Sequence, residues 1–232
     1  MSERHLAVNE IFGPTFQGEG VHLGKPCMFL RLAGCNLSCR WCDTPYAWDW
    51  TRYDKSQEVS RLTVDEVGQR IREGEGTGIR HLVISGGEPM LQQRTLPTLI
   101  ESLRSHGWTT EMETAGTISP ESMTLVDHFT VSPKLVNSGD PEARRYHPEV
   151  LERFNTAPSR CFKFVVEKPE DFDEIDLLVS RHQLHPVIIM PEGVDGAVLN
   201  TRLKELAAAT LMRNYSLTTR LHVLLYGNQR AV

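Results

Sequence analysis

Three of the five cysteines in this 232-residue chain stand together. Cys35, Cys39 and Cys42 follow the spacing C-x3-C-x2-C. Three thiolates this close make a good ligand set for a soft or borderline metal. A structural zinc ion asks for four ligands in a closed tetrahedron, and no second Cys or His pair follows at the usual distance. A ferredoxin-type site would also supply four cysteines. Three cysteines on a four-iron cluster leave one iron open, so a small molecule can bind there. The loop around them holds Asn36, Ser38, Arg40 and Asp43, which is poor material for a core of free thiols. Cys27 and Cys161 lie in apolar runs and read as core thiols.

Other chemistry-bearing residues gather where apolar runs end. Ser85-Gly86-Gly87-Glu88-Pro89 closes the run His81 to Ser85. Its two glycines let a ligand approach the backbone closely. Glu113-Thr114-Ala115-Gly116, Ser132-Pro133-Lys134 and Met190-Pro191-Glu192-Gly193 end three more candidate strands. Arg31 sits inside the apolar run Met28 to Leu32, where a guanidinium needs a partner such as a carboxylate. Thr44 follows the cysteine loop and offers a hard oxygen suited to Mg²⁺. Gln17 and Glu19, between Phe16, Gly18 and Gly20, offer amide and carboxylate edges.

The elements that must position these residues alternate. Strands are expected at Met28 to Leu32, His81 to Ser85, Thr109 to Glu113, Phe129 to Ser132, Cys161 to Val166 and Val187 to Met190, with a last candidate at Leu221 to Tyr226. Thr63 and Glu66 form a capping-box pattern ahead of Val64, Val67 and Ile71. Leu96, Leu99, Ile100 and Leu103 share a helical face, and Gly107 follows as a stop. Further helices are expected from Pro169 through Val179 and around Val198 to Leu206. Asp43 to Leu62 shows no clean period, and a stretch that long without structure is usually functional. Alternating strands and helices argue for a parallel sheet with crossover helices, whose chemistry sits at the carboxyl ends of the strands. The expectation is an α/β, single-domain partial (abridged) β/α barrel of about six mostly parallel strands over residues 1–232. The segment 213–232 is a candidate for closing its mouth.

Composition narrows the partners. Lysine plus arginine is 25 and aspartate plus glutamate is 30, a net charge of −5 that does not suit a general nucleic-acid binder. No run approaches the roughly 20 apolar residues of a membrane span. The opening Met1 to His5 has no apolar run behind it, which argues against a secretory leader. An odd number of cysteines is no disulfide framework, and a cytoplasmic setting is expected.

With Trp41 as the aromatic residue, C-x3-C-x-aromatic-C resembles the signature loop of radical S-adenosylmethionine (SAM) enzymes. The resemblance implies a [4Fe–4S] cluster on Cys35, Cys39 and Cys42, with SAM on the open iron as the source of a 5′-deoxyadenosyl radical. It implies SAM contacts from Trp41, from Ser85, Gly86, Gly87 and Glu88, and from Thr114, Ser132 and Lys134. The flanks are more specific. Gln17-Gly18-Glu19-Gly20, Arg31, Cys42-Asp43-Thr44, Ser132-Pro133-Lys134 and Leu225-Tyr226-Gly227-Asn228 are together similar to the 7-carboxy-7-deazaguanine synthase family, from about Asn9 to Asn228. That likeness implies conversion of 6-carboxy-5,6,7,8-tetrahydropterin to 7-carboxy-7-deazaguanine, a queuosine precursor, by hydrogen removal at C6, ring contraction and loss of ammonia. It further implies Mg²⁺ at the substrate carboxylate through Thr44, and substrate contacts from Phe16, Gln17, Gly18, Glu19 and Arg31. A flavodoxin- or ferredoxin-type reductant and a homodimer are also implied. Two other readings stay open. One is a glycyl-radical-enzyme activase. The other is a non-enzymatic iron–sulfur sensor or electron carrier, which would need a fourth protein ligand.

Overall fold

One sheet carries the molecule, seen here in a computed structural model that describes residues 4–232. Of the opening segment Met1 to His5, the first three residues lie outside the described residues. The strands are β1 (His5–Phe16), β2 (Pro26–Leu32), β3 (Ser60–Thr63), β4 (His81–Gly86), β5 (Thr109–Thr114), β6 (His128–Val131), β7 (Arg160–Val166), β8 (Val187–Pro191) and β9 (Ser216–Leu217). Their spatial order is β3-β1-β2-β4-β5-β6-β7-β8-β9. Every pairing from β2 to β9 is parallel, and β1 and β3 add an antiparallel edge. Helices α1 (Lys55–Glu58), α2 (Val64–Arg72), α3 (Leu96–Ser105), α4 (Glu142–Arg145), α5 (Pro148–Phe154), α6 (Asp171–His182), α7 (Gly196–Met212) and α8 (Leu221–Tyr226) complete the chain. The result is an open, abridged β/α barrel.

All six expected strands are present, and three more join them among the described residues. β1 escapes a periodicity reading because its register slips twice, between Val8 and Glu10 and between Phe12 and Thr15. Such bulges break the two-residue alternation that marks a strand. β3 and β9 are too short, at four and two residues, to show a pattern. Leu221 to Tyr226 is a helix rather than a strand. A mostly apolar run of six residues has no period long enough to decide between the two. Asp43 to Leu62 is not structureless, since it holds a 3₁₀ turn at Pro45–Ala47, then α1 and most of β3. α2 forms as expected. Thr63 Oγ1 accepts from the Glu66 N–H (3.2 Å), and Glu66 Oε2 accepts from the Thr63 N–H (2.7 Å). α6 starts at Asp171, two residues after Pro169, and buries Phe172, Ile175 and Leu178.

The strands sort their side chains into two environments. On the outer face Leu82, Ile84, Met112, Phe129, Val131, Phe162, Phe164 and Val166 join the helix residues Val67, Ile71, Leu99, Leu103, Phe154 and Ile175 in one apolar core. On the inner face polar residues are interspersed with apolar ones such as Val83, Cys161 and Val165. His81, Glu111, His128, Thr130 and Lys163 are buried there, and Ser85 and Glu113 are half-buried above them. The apolar face supplies stability, and the polar face is free to carry chemistry.

β1 runs antiparallel to β2, so Phe16 ends beside Pro26 at the amino end of β2. The chain from Gln17 to Lys25 then tucks into the open barrel, where Glu19 meets Lys163 and His22 meets Glu111.

The two-faced sheet sets a contrast in stability. Leu82→Ala, at a fully buried outer-face position, costs about 2–5 kcal/mol by urea unfolding. Leu211→Ala, at a site 80% exposed on α7, stays within about 0.5 kcal/mol.

Candidate active site

A cavity opens at the carboxyl ends of the strands, and Cys35, Cys39 and Cys42 all line it. Their loop leaves β2 and is pinned from the far side of the barrel. The Ser38 N–H and Oγ both donate to the buried Asp140 carboxylate (each 3.0 Å), and the Arg40 N–H donates to the Ser138 carbonyl (2.8 Å). The sulfurs already receive donors. The Leu37 N–H reaches Cys35 Sγ (3.4 Å) and Trp48 Nε1 reaches Cys42 Sγ (3.3 Å). Hydrogen bonds to sulfur are what a thiolate ligand of an iron–sulfur cluster receives. Cys27 and Cys161 are fully buried and away from the cavity lining. The donor set therefore fits a cluster held by three thiolates with one iron open. Burial pushes the Cys35 and Cys39 thiols up to about 12. Binding iron must release those protons.

Gly86 and Gly87 line the same cavity, but packing explains their identity as much as ligand approach does. A Cβ on Gly86 would stand 2.1 Å from the Leu32 carbonyl oxygen, and one on Gly87 2.0 Å from that of Gly34. The Gly87 N–H donates to Leu32 O (3.0 Å) and the Glu88 N–H to Gly34 O (2.8 Å). The end of β4 is thus pressed against the start of the cysteine loop. Glu88 is buried and does not line the cavity. Its carboxylate accepts from Thr114 Oγ1 (2.8 Å) and from the N–H groups of Ala115 (2.8 Å) and Met90 (3.0 Å). Burial nonetheless pushes its carboxyl up, against these bonds. Glu88 ties the ends of β4 and β5 together, while Ser85, Thr114, Ser132, Lys134 and Trp41 face the cavity. Lys134 Nζ donates to Ser132 O (2.7 Å) and Oγ (3.0 Å) and lies 5.9 Å from the centre of a Trp41 ring.

The cavity wall opposite the glycines is built from buried charge. Lys163 Nζ donates to Glu19 Oε2 and to Glu113 Oε1 (3.4 Å). Arg220 Nε donates to Glu19 Oε1 (3.1 Å), its Nη2 to Asp43, and its Nη1 to the Gly193 carbonyl (2.7 Å). Gln17 Nε2 and Ser85 Oγ both donate to Glu113 (3.3 and 2.9 Å). Burial opposes the charge on Glu19, yet Lys163 and Arg220 hold its carboxyl far below the usual range. Burial opposes Asp43 too, and Arg220 brings its carboxyl down. Glu113 goes the other way. Burial pushes it up, Lys163 counters, and the nearby Glu19 and Glu111 add repulsion. It is the acid of this set most readily kept neutral. Glu19 and Asp43 then balance Lys163 and Arg220.

Every expected site residue except Glu88 lines this cavity. Arg31 has a protein partner, donating from Nε to Glu10 Oε2 (2.9 Å) beneath Tyr46. Its Nη groups have no hydrogen-bond partner among the described residues. Thr44 stands before the Pro45–Ala47 turn without capping it by its side chain, and its hydroxyl lies 3.7 Å from Cys42 Sγ. Gly18 faces His222, whose Nδ1 would stand 2.0 Å from an added Cβ. Gln229 to Val232 also line the cavity. Arg230 anchors them, donating to Glu10 (2.9 Å) and Glu58 (2.8 Å) and stacking 3.6 Å from the Tyr46 ring centre. Sequence reasoning missed Lys163, Arg220 and Asp140. Lys163 carried a signal, as a charged residue inside the apolar run Cys161 to Val166.

Comparison with known proteins agrees with this geometry. Residues 30–159 match the Radical SAM superfamily. The chain is 34% identical over 230 residues to the 7-carboxy-7-deazaguanine synthase of Pyrobaculum aerophilum, covering 97% of this chain and 96% of that one. It is 31% identical over 230 residues to the enzyme of the same name from Escherichia coli, covering 93% and 96%. The crystal structure of QueE from Escherichia coli superposes with a TM-score of 0.72 at 27% identity, covering 94% of this chain and 95% of that one. Streptococcus suis SuiB, at 14% identity and a TM-score of 0.55 over 81% of this chain and 46% of its own, shares the fold alone.

Two outcomes follow from the cysteine geometry. Cys35→Ala, Cys39→Ala or Cys42→Ala removes the four-iron absorbance after anaerobic reconstitution, while Cys27→Ala and Cys161→Ala keep it. Loss of the cluster in either of the last two contradicts the ligand assignment. Because the thiols must give up protons, cluster occupancy at limiting iron rises as pH goes from about 6.5 to about 8.5. An occupancy that falls over that range contradicts it.

Proposed function

The chain belongs to the 7-carboxy-7-deazaguanine synthases of the radical SAM superfamily, and on that footing we propose how its own residues divide the work. The reaction is conversion of 6-carboxy-5,6,7,8-tetrahydropterin to 7-carboxy-7-deazaguanine with loss of ammonia. The observation that carries the assignment of roles is the shared cavity, in which three cysteines face a buried charged wall across glycine-lined strand ends. When bound, the [4Fe–4S] cluster and SAM supply the radical that takes the hydrogen on C6.

Cys35, Cys39 and Cys42 hold the cluster. The backbone at Gly86 and Gly87, with Ser85, Thr114, Ser132, Lys134 and Trp41, positions SAM. Glu88 supports that surface from behind through Thr114 and Ala115. The charged wall takes the pterin. Gln17 and Glu19 present amide and carboxylate edges to its donor–acceptor pattern, and Phe16 and Gly18 shape their turn. The free Nη groups of Arg31 attract the substrate carboxylate, a fork suited to a bidentate anion. Thr44, whose hydroxyl is left unused by capping, would help to hold Mg²⁺, and the ion would supply positive charge for the substrate carboxylate. The tail from Gln229 to Val232 shields the same corner of the cavity, held by Arg230.

The relatives favour this reading over a glycyl-radical-enzyme activase or an electron carrier. No described helix is long and apolar enough to cross a membrane. Free thiols suit a reducing compartment, so we place the enzyme in the cytoplasm as a homodimer served by a flavodoxin- or ferredoxin-type reductant.

Anaerobic incubation with SAM, reductant, Mg²⁺ and the carboxypterin should yield 7-carboxy-7-deazaguanine and ammonia in equal amounts. SAM cleavage without either product would sink the substrate assignment. Thr44→Ala should keep iron content and SAM cleavage but lose most of the stimulation by Mg²⁺. An unchanged Mg²⁺ response removes Thr44 from the metal site.

A further inference from the structure

Beneath the active-site wall, at the amino ends of the same strands, lies a second polar cluster that the reaction does not use. His81 opens β4, Glu111 is the third residue of β5, and His128 opens β6. His22 reaches them from the inward-tucked loop, on a 3₁₀ turn at Gly20–His22. None of the four lines the cysteine cavity. His22 Nδ1 lies 2.7 Å from Glu111 Oε2, and His81 Nε2 lies 3.6 Å from the same oxygen. One ligand atom from each of these three residues falls within 4.8 Å of the others. We propose that His22, His81 and Glu111 form a second metal site, selective for zinc-like first-row divalent ions, that staples the Gln17–Lys25 segment to the base of the barrel.

The hydrogen bonds around the cluster favour a metal over a closed network. Thr109 Oγ1 lies 3.3 Å from the Arg80 carbonyl and 2.9 Å from His81 Nδ1, so when it donates to the carbonyl it accepts from the ring. A ring that donates at Nδ1 presents a bare lone pair at Nε2, the form that binds metal. His81 Nε2 is buried without a hydrogen-bond partner and faces a carboxylate oxygen. In that tautomer two lone-pair atoms face each other and repel unless a cation lies between them. The other carboxylate oxygen, Oε1, accepts from Thr130 Oγ1 (2.6 Å), which leaves Oε2 aimed at the histidines. This outer hydrogen bonding is how proteins orient metal ligands.

Distances and chemistry agree. Zinc bonds nitrogen and oxygen at about 2.0–2.2 Å, so tetrahedral ligand atoms stand roughly 3.3 Å apart. The His81–Glu111 separation is already close to that, and His22, 2.7 Å from Glu111 on a short turn with its side chain 29% exposed, would move outward to fit. Two imidazoles and one carboxylate suit zinc or ferrous iron and do not suit magnesium. The fourth position goes to water or to His128. The His128 ring packs edge-on against His22 at 5.2 Å, and its own Nε2 is buried without a partner. His22 lies three residues beyond Glu19, so metal here would brace the turn that carries Glu19 into the charged wall.

The test uses cluster-loaded, full-length protein, equilibrated anaerobically with buffered micromolar Zn²⁺ and passed through gel filtration. The expected result is one zinc retained per chain in addition to the cluster iron. At the zinc X-ray absorption edge, neighbours should be nitrogen and oxygen only, at about 2.0 Å. His81→Ala and His22→Ala should each weaken zinc binding at least tenfold while leaving cluster iron unchanged. His22 is half-exposed, so its variant keeps the test decisive if His81→Ala fails to fold. Failure of the wild-type protein to retain zinc, sulfur neighbours at about 2.3 Å, or full retention in His22→Ala would overturn the proposal. In those cases the cluster is a proton-filled ion pair between the histidines and Glu111.

Discussion

Two cations buried inside the barrel hold the active site together. Lys163 rises from β7 and Arg220 from the turn before α8, and both converge on Glu19. Through Glu113 and Asp43 the same pair reaches β5 and the end of the cysteine loop. Five segments remote in sequence thus meet in one set of ion pairs. Burying such charges is expensive, and stranding one by removing its partner typically costs about 3–5 kcal/mol. The set is tolerable because its charges balance, with Glu113 as the member most readily neutral.

The sheet makes this arrangement possible by separating two tasks. Its outer face packs apolar side chains against the helices in one continuous core. The inner face is free to be polar. Its upper tier, Ser85, Glu113, Ser132 and Lys163, faces the cavity, and its lower tier, His81, Glu111, His128 and Thr130, lies beneath. The Gln17–Lys25 segment enters from the open edge and touches both tiers, with Glu19 above and His22 below. Close backbone contact at Gly86 and Gly87 then sets the height of the cysteine loop over this interior.

Much of this was legible before the structure. Spacing alone singled out Cys35, Cys39 and Cys42, because ligand geometry is local and needs no tertiary context. The parallel strands are legible because turn residues bound them and most, such as Leu82 to Ile84 and Val187 to Met190, have apolar middles. β1 is not, since its bulges scramble the alternation. α8 reads as a strand because its six residues, five of them apolar, fit either period. The charged wall was half legible. Arg31 and Lys163 give the same signal, a cation inside an apolar strand, and only Arg31 was weighed. Arg220 gave no signal, because its partners Glu19 and Asp43 are 201 and 177 residues away in sequence. Glu88 was read as a ligand contact, whereas its bonds to Thr114 and Ala115 make it a tie between strand ends.

The ion pair between Glu19 and Lys163 is where this description is most exposed. A double-mutant cycle on Glu19→Gln and Lys163→Met would read kcat/KM for the carboxypterin, with cluster iron and SAM cleavage as controls for folding. If the pair builds the substrate wall, each single change lowers kcat/KM. The double change then costs less than the product of the two, with a coupling of at least about tenfold, or ~1.4 kcal/mol. Losses that simply multiply, in protein that keeps its cluster, would contradict it.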